Sequence, residues 1–273
     1  MQSFYDFYAN AHNIGLSLGS DAGTAHVLAY TASIGGGITA TISAETGDAR
    51  RGLLDSPAGW AGHALPDIVA NIRYEQAWGA IQLSGALHQI RDANPAVDTE
   101  YGFAGQIGAR FNLPMIAAGD NLVIQAAYAD GASSYTGAQL GLVGRYRTAV
   151  ANILQVVAGD VTIAPDATLV NGNLDTVKSW STQAAFQHFW NPKLFSAAYF
   201  GYSSFDVPMA GNGEWNVMQA GLQTSWSPVR GLLLGAQVNY TRTELGRAMA
   251  NTVGFNNTSA DAWSGRVRIQ RDF

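Results

Sequence analysis

Trp263-Ser264-Gly265-Arg266-Val267-Arg268-Ile269-Gln270-Arg271-Asp272-Phe273 alternates between two kinds of side chain. Trp263, Val267, Ile269 and Phe273 share one face, and Arg266, Arg268, Gln270 and Asp272 share the other, as the period of two in a β-strand dictates. In a soluble sheet, a terminal strand this polar on one face is an exposed edge that frays. With hydrocarbon on one side and water on the other, the same pattern is a closing strand of a membrane-spanning wall. One position breaks it. Arg271 sits on the apolar face, where a long side chain reaches headgroups by snorkelling.

Composition narrows the alternatives. The 273 residues suffice for one large β domain or two ordinary ones. Charged residues make up 13%, about half of the ~25% usual in soluble domains, yet mean hydropathy is close to zero. The polarity therefore comes from Gly, Ser, Thr, Asn and Gln, which suits a wall between lipid and water. A net charge of −5 removes the electrostatic basis for a nucleic-acid partner. The absence of cysteine excludes disulfides and thiolate metal sites. No apolar run reaches the ~18 residues of a spanning helix. Met1-Gln2-Ser3-Phe4-Tyr5-Asp6 has neither the basic start nor the apolar core of a signal peptide.

Alternation recurs along the whole chain. Residues 37–45 place Ile38, Ala40, Ile42 and Ala44 opposite Thr39, Thr41, Ser43 and Glu45. Residues 67–76 place Ile68, Ala70, Ile72 and Tyr74 opposite Asn71, Arg73 and Glu75. Residues 80–90 oppose Ile81, Leu83 and Leu87 to Gln82, Ser84 and His88. In 101–113, Tyr101, Phe103, Ile107, Ala109 and Phe111 face away from Gln106, Arg110 and Asn112. In 231–243, Leu232, Leu234, Ala236, Val238 and Tyr240 face away from Gln237, Asn239 and Thr241. With 24–33, 121–129, 178–190, 193–203, 214–227 and 263–273, eleven full strands are predicted, plus a stub at 3–8. Ten residues rise ~33 Å, and at a tilt of ~40–45° they cross roughly 25 Å of bilayer.

Connections alternate between short (34–36, 77–79, 114–120, 191–192, 228–230) and long (9–23, 46–66, 91–100, 130–177, 204–213, 244–261). An antiparallel meander with this parity carries every long loop at one end, the arrangement of outer-membrane barrels. Trp78, Trp190 and Trp226 flank short turns, whereas Trp180, Trp215 and Trp263 stand at strand ends beside long loops. Together with Phe273, these rings read as two interfacial girdles. Within 130–177, Leu142, Val143, Tyr146, Ala149, Val150, Ile153, Leu154 and Val157 fall at helical spacing. An irregular loop with some helix in or over the lumen is expected there.

Several segments resemble the general diffusion porins of alphaproteobacteria: Phe4-Tyr5-Asp6-Phe7-Tyr8-Ala9, Leu28-Ala29-Tyr30-Thr31-Ala32-Ser33, residues 66–79, Gln187-His188-Phe189-Trp190 and the closing strand. The resemblance runs the length of the chain and is weakest over 130–177. It implies an all-β fold, an antiparallel transmembrane β-barrel. About 11–12 strands of a sixteen-stranded trimeric porin fall within residues 1–273, a single C-terminal barrel domain. Counting back from Phe273, the resemblance makes 9–23 the counterpart of the constriction loop and 3–8 the end of strand five. Strands one to four and the signal peptide are then missing. Such an open wall is expected to close as a smaller barrel, recruit a second chain, or fail to insert, because unpaired edges in hydrocarbon cost several kcal/mol per group.

The function implied is a water-filled channel in the bacterial outer membrane for passive diffusion of small hydrophilic solutes and ions. Outer-membrane lipid and a homotrimer are the expected surroundings, and no cofactor is expected. A substrate-specific channel or a barrel that binds a partner through its loops is the alternative. The candidate lumen residues are Arg73, Glu75, Gln82, His88, Gln106, Arg110, Gln237, Asn239, Arg266, Arg268 and Gln270, with Asn13 and Asp21 on the presumed constriction loop. Each also reads as an ordinary solvated strand residue. An enzyme is not expected. Ser84 and His88 lie about 13 Å apart by strand rise, no Gly-x-Ser-x-Gly elbow occurs, and His12, His26 and His63 form no metal-ligand spacing.

Overall fold

The computed structural model describes residues 2–8, 12, 18, 25–47, 53–54, 58–137, 165–252 and 257–272. Its main element is an eleven-stranded antiparallel meander. The strands are β1 (Val27–Gly35), β2 (Ile38–Glu45), β4 (Asp67–Gln76), β5 (Gly79–Ile90), β6 (Glu100–Asn112), β7 (Asn121–Asp130), β10 (Lys178–Asn191), β11 (Leu194–Asp206), β12 (Glu214–Trp226), β13 (Leu232–Leu245) and β14 (Ser259–Arg271). Each pairs with its predecessor in that order, so β1 and β14 are the two ends of the sheet. A second sheet of β3 (Leu53–Leu54), β8 (Ala167–Val170) and β9 (Asn173–Thr176) lies within the long loops and was not foreseen. The eleven predicted strands are all present, and every long connection leaves from the same end.

Pairing keeps one face continuous. Thr41, Asn71, Ser84, Gln106, Ala127, Ser181 and Ser203 are successive cross-strand partners on one face. A slip of one residue in any pair would send that strand's polar set to the opposite face. The turn between β1 and β2 is Gly35-Gly36-Gly37, with φ of 96°, 62° and 85°. Glycine occupies this left-handed region without steric cost.

Polarity is inverted relative to a soluble protein. Leu83 is 61% exposed, whereas Gln82 and Ser84 on either side of it are each 5% exposed. Ile72, Leu87, Ile107, Leu222, Val267 and Ile269 are likewise exposed, and Gln106, Gln125, Gln183 and Gln237 are buried. At roughly 2 kcal/mol per large aliphatic side chain left in water, the outer face would cost tens of kcal/mol in solution. In hydrocarbon it costs nothing, and the face is that of a lipid-contacting wall. Arg271 does project from the outer side, where its guanidinium donates to the Arg230 carbonyl in the adjacent short turn at 3.1 Å.

Two expectations need correction. Residues 3–8 form no strand; they run across the covered face of the sheet, held by side chains rather than by a ladder. Trp215 is not an interfacial ring. It is fully buried on the covered face against Leu18, Val177, Phe205, Val217, Leu245 and Met249, with its ring centroid 5.0 Å from that of Phe205. Trp78, Trp180, Trp190, Trp226 and Trp263 are exposed. Phe273 and residues 138–164, which carry the helical spacing noted above, lie outside the described residues. The described part of that loop contains a 3-10 helix, Ser133–Thr136.

Two substitutions separate the faces. Trp215→Ala, which empties a buried site, should lower stability by about 3–5 kcal/mol, and Trp263→Ala markedly less. Leu83→Arg should cost about 2–4 kcal/mol in lipid, as a cation near the midplane does. Urea unfolding in lipid vesicles, followed by β-sheet circular dichroism, measures all three. Equal losses for Trp215→Ala and Trp263→Ala would overturn the assignment of Trp215 to the inner side.

Candidate functional site

The covered face is lined by amide and hydroxyl side chains, and a strap of chain lies on it. Along this strap, residues 4–8, the backbone N–H of Phe4 donates to Glu45 Oε1 at 3.1 Å, that of Phe7 to Gln106 Oε1 at 3.1 Å, and that of Tyr8 to Gln125 Oε1 at 2.9 Å. In the other direction Asn71 Nδ2 donates to the Phe4 carbonyl at 2.6 Å and Gln82 Nε2 to the Tyr5 carbonyl at 3.3 Å. The Asp6 carboxylate accepts from both Gln106 and Gln125, at 3.2 and 3.1 Å. The strap thus crosses from β2 to β7, using wall amides where a strand would use a neighbouring backbone. Tyr5 packs with Val69, Ala86, Ala104 and Ala129, and Tyr8 with Val123, Ala185 and Tyr199. Gly108 leaves room for the Phe7 ring, since a Cβ there would collide with it.

Farther along, His12 Nε2 is 2.6 Å from Asn121 Oδ1, and the Leu18 N–H donates to Gln219 Oε1 at 3.2 Å. A Cβ at Gly201 would strike the Leu18 carbonyl. The chain therefore touches the covered face again at β7, β11 and β12. Asn13 and Asp21 lie outside the described residues. A second inward segment comes from the loop after β7. Thr136 Oγ1 donates to Ser179 Oγ at 2.9 Å, and its carbonyl accepts from Ser203 Oγ at 3.1 Å. The two segments meet where Tyr5 and Tyr135 pack edge to face at 4.8 Å.

The sequence candidates separate into distinct groups. Gln82 and Gln106 hold the strap. Arg73, Glu75 and Arg110 come together toward the short-turn end of the wall: Glu75 accepts from Arg73 at 3.0 Å and from Arg110 at 2.7 Å. The Arg73 guanidinium also lies 5.2 Å above the Phe7 ring, within cation–π range. Gln237 and Asn239 bond to each other at 3.0 Å and to the Tyr199 hydroxyl. Arg266, Arg268 and Gln270 follow one another on the inner side of β14, where Arg268 bonds Gln270 and Gln270 donates to Asp272 at 2.9 Å. His88 is buried at the long-loop end, its Nδ1 2.8 Å from Asp67 Oδ1. Asn71, Gln125 and Glu45 were missed, although each lies on the polar side of its strand and alternation alone would have found them.

One constellation departs from the sequence reading of the histidines. His63, Asp67 and His88 each bring a potential ligand atom within 4.8 Å of the others. His63 precedes β4, Asp67 opens β4, and His88 is near the end of β5, so no local spacing announces the group.

What the arrangement offers chemically is hydrogen bonding and paired charge. It is a polar wall narrowed by an inward strap, with paired charges beside it. The fold is similar to the crystal structure of the outer membrane channel DcaP of Acinetobacter baumannii, with a TM-score of 0.69 and 15% identity over 98% of this chain and 70% of that one. Among curated proteins none matches. A family model described as a porin subfamily matches residues 3–266. With nearly the whole length matched, and an apolar outside backed by a polar inside, the chain belongs to the porin subfamily, in the bacterial outer membrane.

Proposed function

We propose that this protein is a general porin of the alphaproteobacterial kind, a homotrimer in outer-membrane lipid through which small hydrophilic solutes and ions diffuse passively. The observation that carries the proposal is the strap of residues 4–8 lying across an amide-lined wall. Water-filled channels need such a wall to hold water and a constriction to set size and charge preference. Neither task uses a reacting group or a cofactor. The Arg73 cation lies over Phe7 of the strap and shares Glu75 with Arg110, two cations to one carboxylate, and the Asp6 carboxylate sits on the strap itself. Opposed charges of this kind create a transverse field that orders the permeating ions.

Reconstitution of the refolded protein into planar bilayers should give ohmic single-channel steps that candidate sugars and anions do not block saturably. Confirmed insertion with a closed bilayer would sink the proposal. Saturable block would favour a substrate-specific channel instead. Unheated gel electrophoresis after mild cross-linking should show a trimer band.

Charge reversal at Arg73→Glu or Arg110→Glu should shift the reversal potential in a salt gradient toward cation preference. An unchanged potential would remove both residues from the constriction. The double variant Gln106→Ala with Gln125→Ala leaves the Phe7 and Tyr8 N–H groups and the Asp6 carboxylate without their wall partners, a loss of about 1–3 kcal/mol for each buried group. Mean conductance should rise and flicker, and wild-type steps in that variant would show that the strap does not limit flow.

A further inference from the structure

We infer that His63, Asp67 and His88 form a binding site for a divalent first-row transition ion of the zinc class, at the long-loop end of the wall. The three donors lie within 4.8 Å of one another. The edges of a tetrahedral zinc site are about 3.4 Å, given metal–ligand bonds of ~2.0–2.2 Å. Two small movements form the site: Asp67 Oδ1 and His88 Nδ1, now 2.8 Å apart, open by about 0.6 Å to that edge, and His63 closes in. It lies in the irregular segment before β4 and is half-buried, whereas Asp67 and His88 are fixed on neighbouring strands and buried.

The surroundings supply what a metal site requires beyond its ligands. A ligating imidazole characteristically gives its second nitrogen to a carboxylate, and a ligating carboxylate is itself hydrogen-bonded. His88 Nε2 lies 3.6 Å from Asp166 Oδ2, within ion-pair reach and a few tenths of an ångström beyond a hydrogen bond. Asp166 is in turn fixed through its other oxygen by the Ser133 N–H at 2.9 Å and the Ser133 hydroxyl at 3.0 Å. The Tyr135 hydroxyl donates to Asp67 Oδ2 at 2.7 Å, leaving Oδ1 toward His88 Nδ1. In the metal-free protein a proton joins Asp67 Oδ1 and His88 Nδ1. The ion takes the Nδ1 lone pair as that proton shifts to Nε2 on the Asp166 side, draws in His63, and leaves a fourth position for water. Two imidazoles with one carboxylate select zinc, nickel or copper over the oxygen-seeking magnesium and calcium. The ion would pin the segment before β4 to the wall beside the loop that carries Ser133 and Tyr135. The site does not depend on the channel function.

The test is a zinc titration of the refolded, chelator-stripped protein in detergent, read by calorimetry and by elemental analysis after dialysis. One equivalent should bind, and calcium in large excess should not displace it. His63→Ala and His88→Gln should each weaken binding at least tenfold, and Tyr135→Phe by about tenfold or more, in the range of supporting-residue losses. His188→Gln should leave it unchanged, because His188 pairs with Asp120 beside a short turn at the opposite end. Zinc should raise the unfolding temperature of the parent and not of His63→Ala. Absence of stoichiometric uptake, parental affinity in His63→Ala, or an equal loss in His188→Gln would each overturn the site. Should His88→Gln fail to refold, His63→Ala decides alone, since His63 lies outside the strands.

Discussion

A chain that crosses hydrocarbon must satisfy each backbone N–H and C=O within itself, because lipid offers no partner and each unmet group costs several kcal/mol. The ten antiparallel pairings from β1 to β14 meet this requirement between neighbouring strands, with β1 and β14 as the two ends of the sheet, and the rest of the structure follows from that ladder. Once the backbone is committed to a ladder, side chains alternate strictly between two sides. The same register that joins Asn71 to Ser84 and Ser84 to Gln106 also sends Ile72, Leu83 and Ile107 outward. The outer side needs only apolar bulk. The inner side inherits all the polarity, and polar groups that become buried need hydrogen-bond partners.

That need explains the strap. A segment with free backbone groups and a wall rich in glutamine and asparagine satisfy one another: Gln106 and Gln125 each accept from the strap backbone through the amide oxygen and donate to Asp6 through the amide nitrogen. A primary amide can do both at once, which a hydroxyl or a lone carboxylate does less well. Small wall residues complete the fit, with Gly108 under Phe7 and Ala86, Ala104 and Ala129 under Tyr5. The strap is thereby held by ordinary interior packing. Tyr135 then links the strap to the loop after β7, contacting Tyr5 with its ring and Asp67 with its hydroxyl.

Legibility followed the range of the interaction. Strand positions were readable because alternation is a local property, repeated in every strand and reinforced by the lengths of the connections. The inward direction of Arg73, Glu75 and Arg110 was readable for the same reason, but their pairing through Glu75 was not, since it depends on β4 and β6 flanking β5. Residues 3–8 misled because their aromatic alternation resembles a strand, while no neighbour exists for them in the ladder. The place of Trp215 beside a long loop suggests the interface, but strand alternation sets its side. Trp215 and Trp226 lie an odd number of residues apart on one regular strand, so they must face opposite sides, and only one of them can meet lipid.

The sequence by itself determined the eleven strands, their simple order, the side of the wall on which each residue stands, and the membership in a channel-forming class. These depend on period-two alternation and on turn lengths, which neighbouring residues define. Tertiary structure alone decided which inward residues stay open and which are consumed in holding the strap. It also covered Trp215 with Leu18 and Met249, and gathered His63, Asp67 and His88 at one place. Those outcomes depend on contacts between segments far apart in the chain, where the sheet's curvature and the course of the loops set the distance. No local pattern in the sequence encodes that distance.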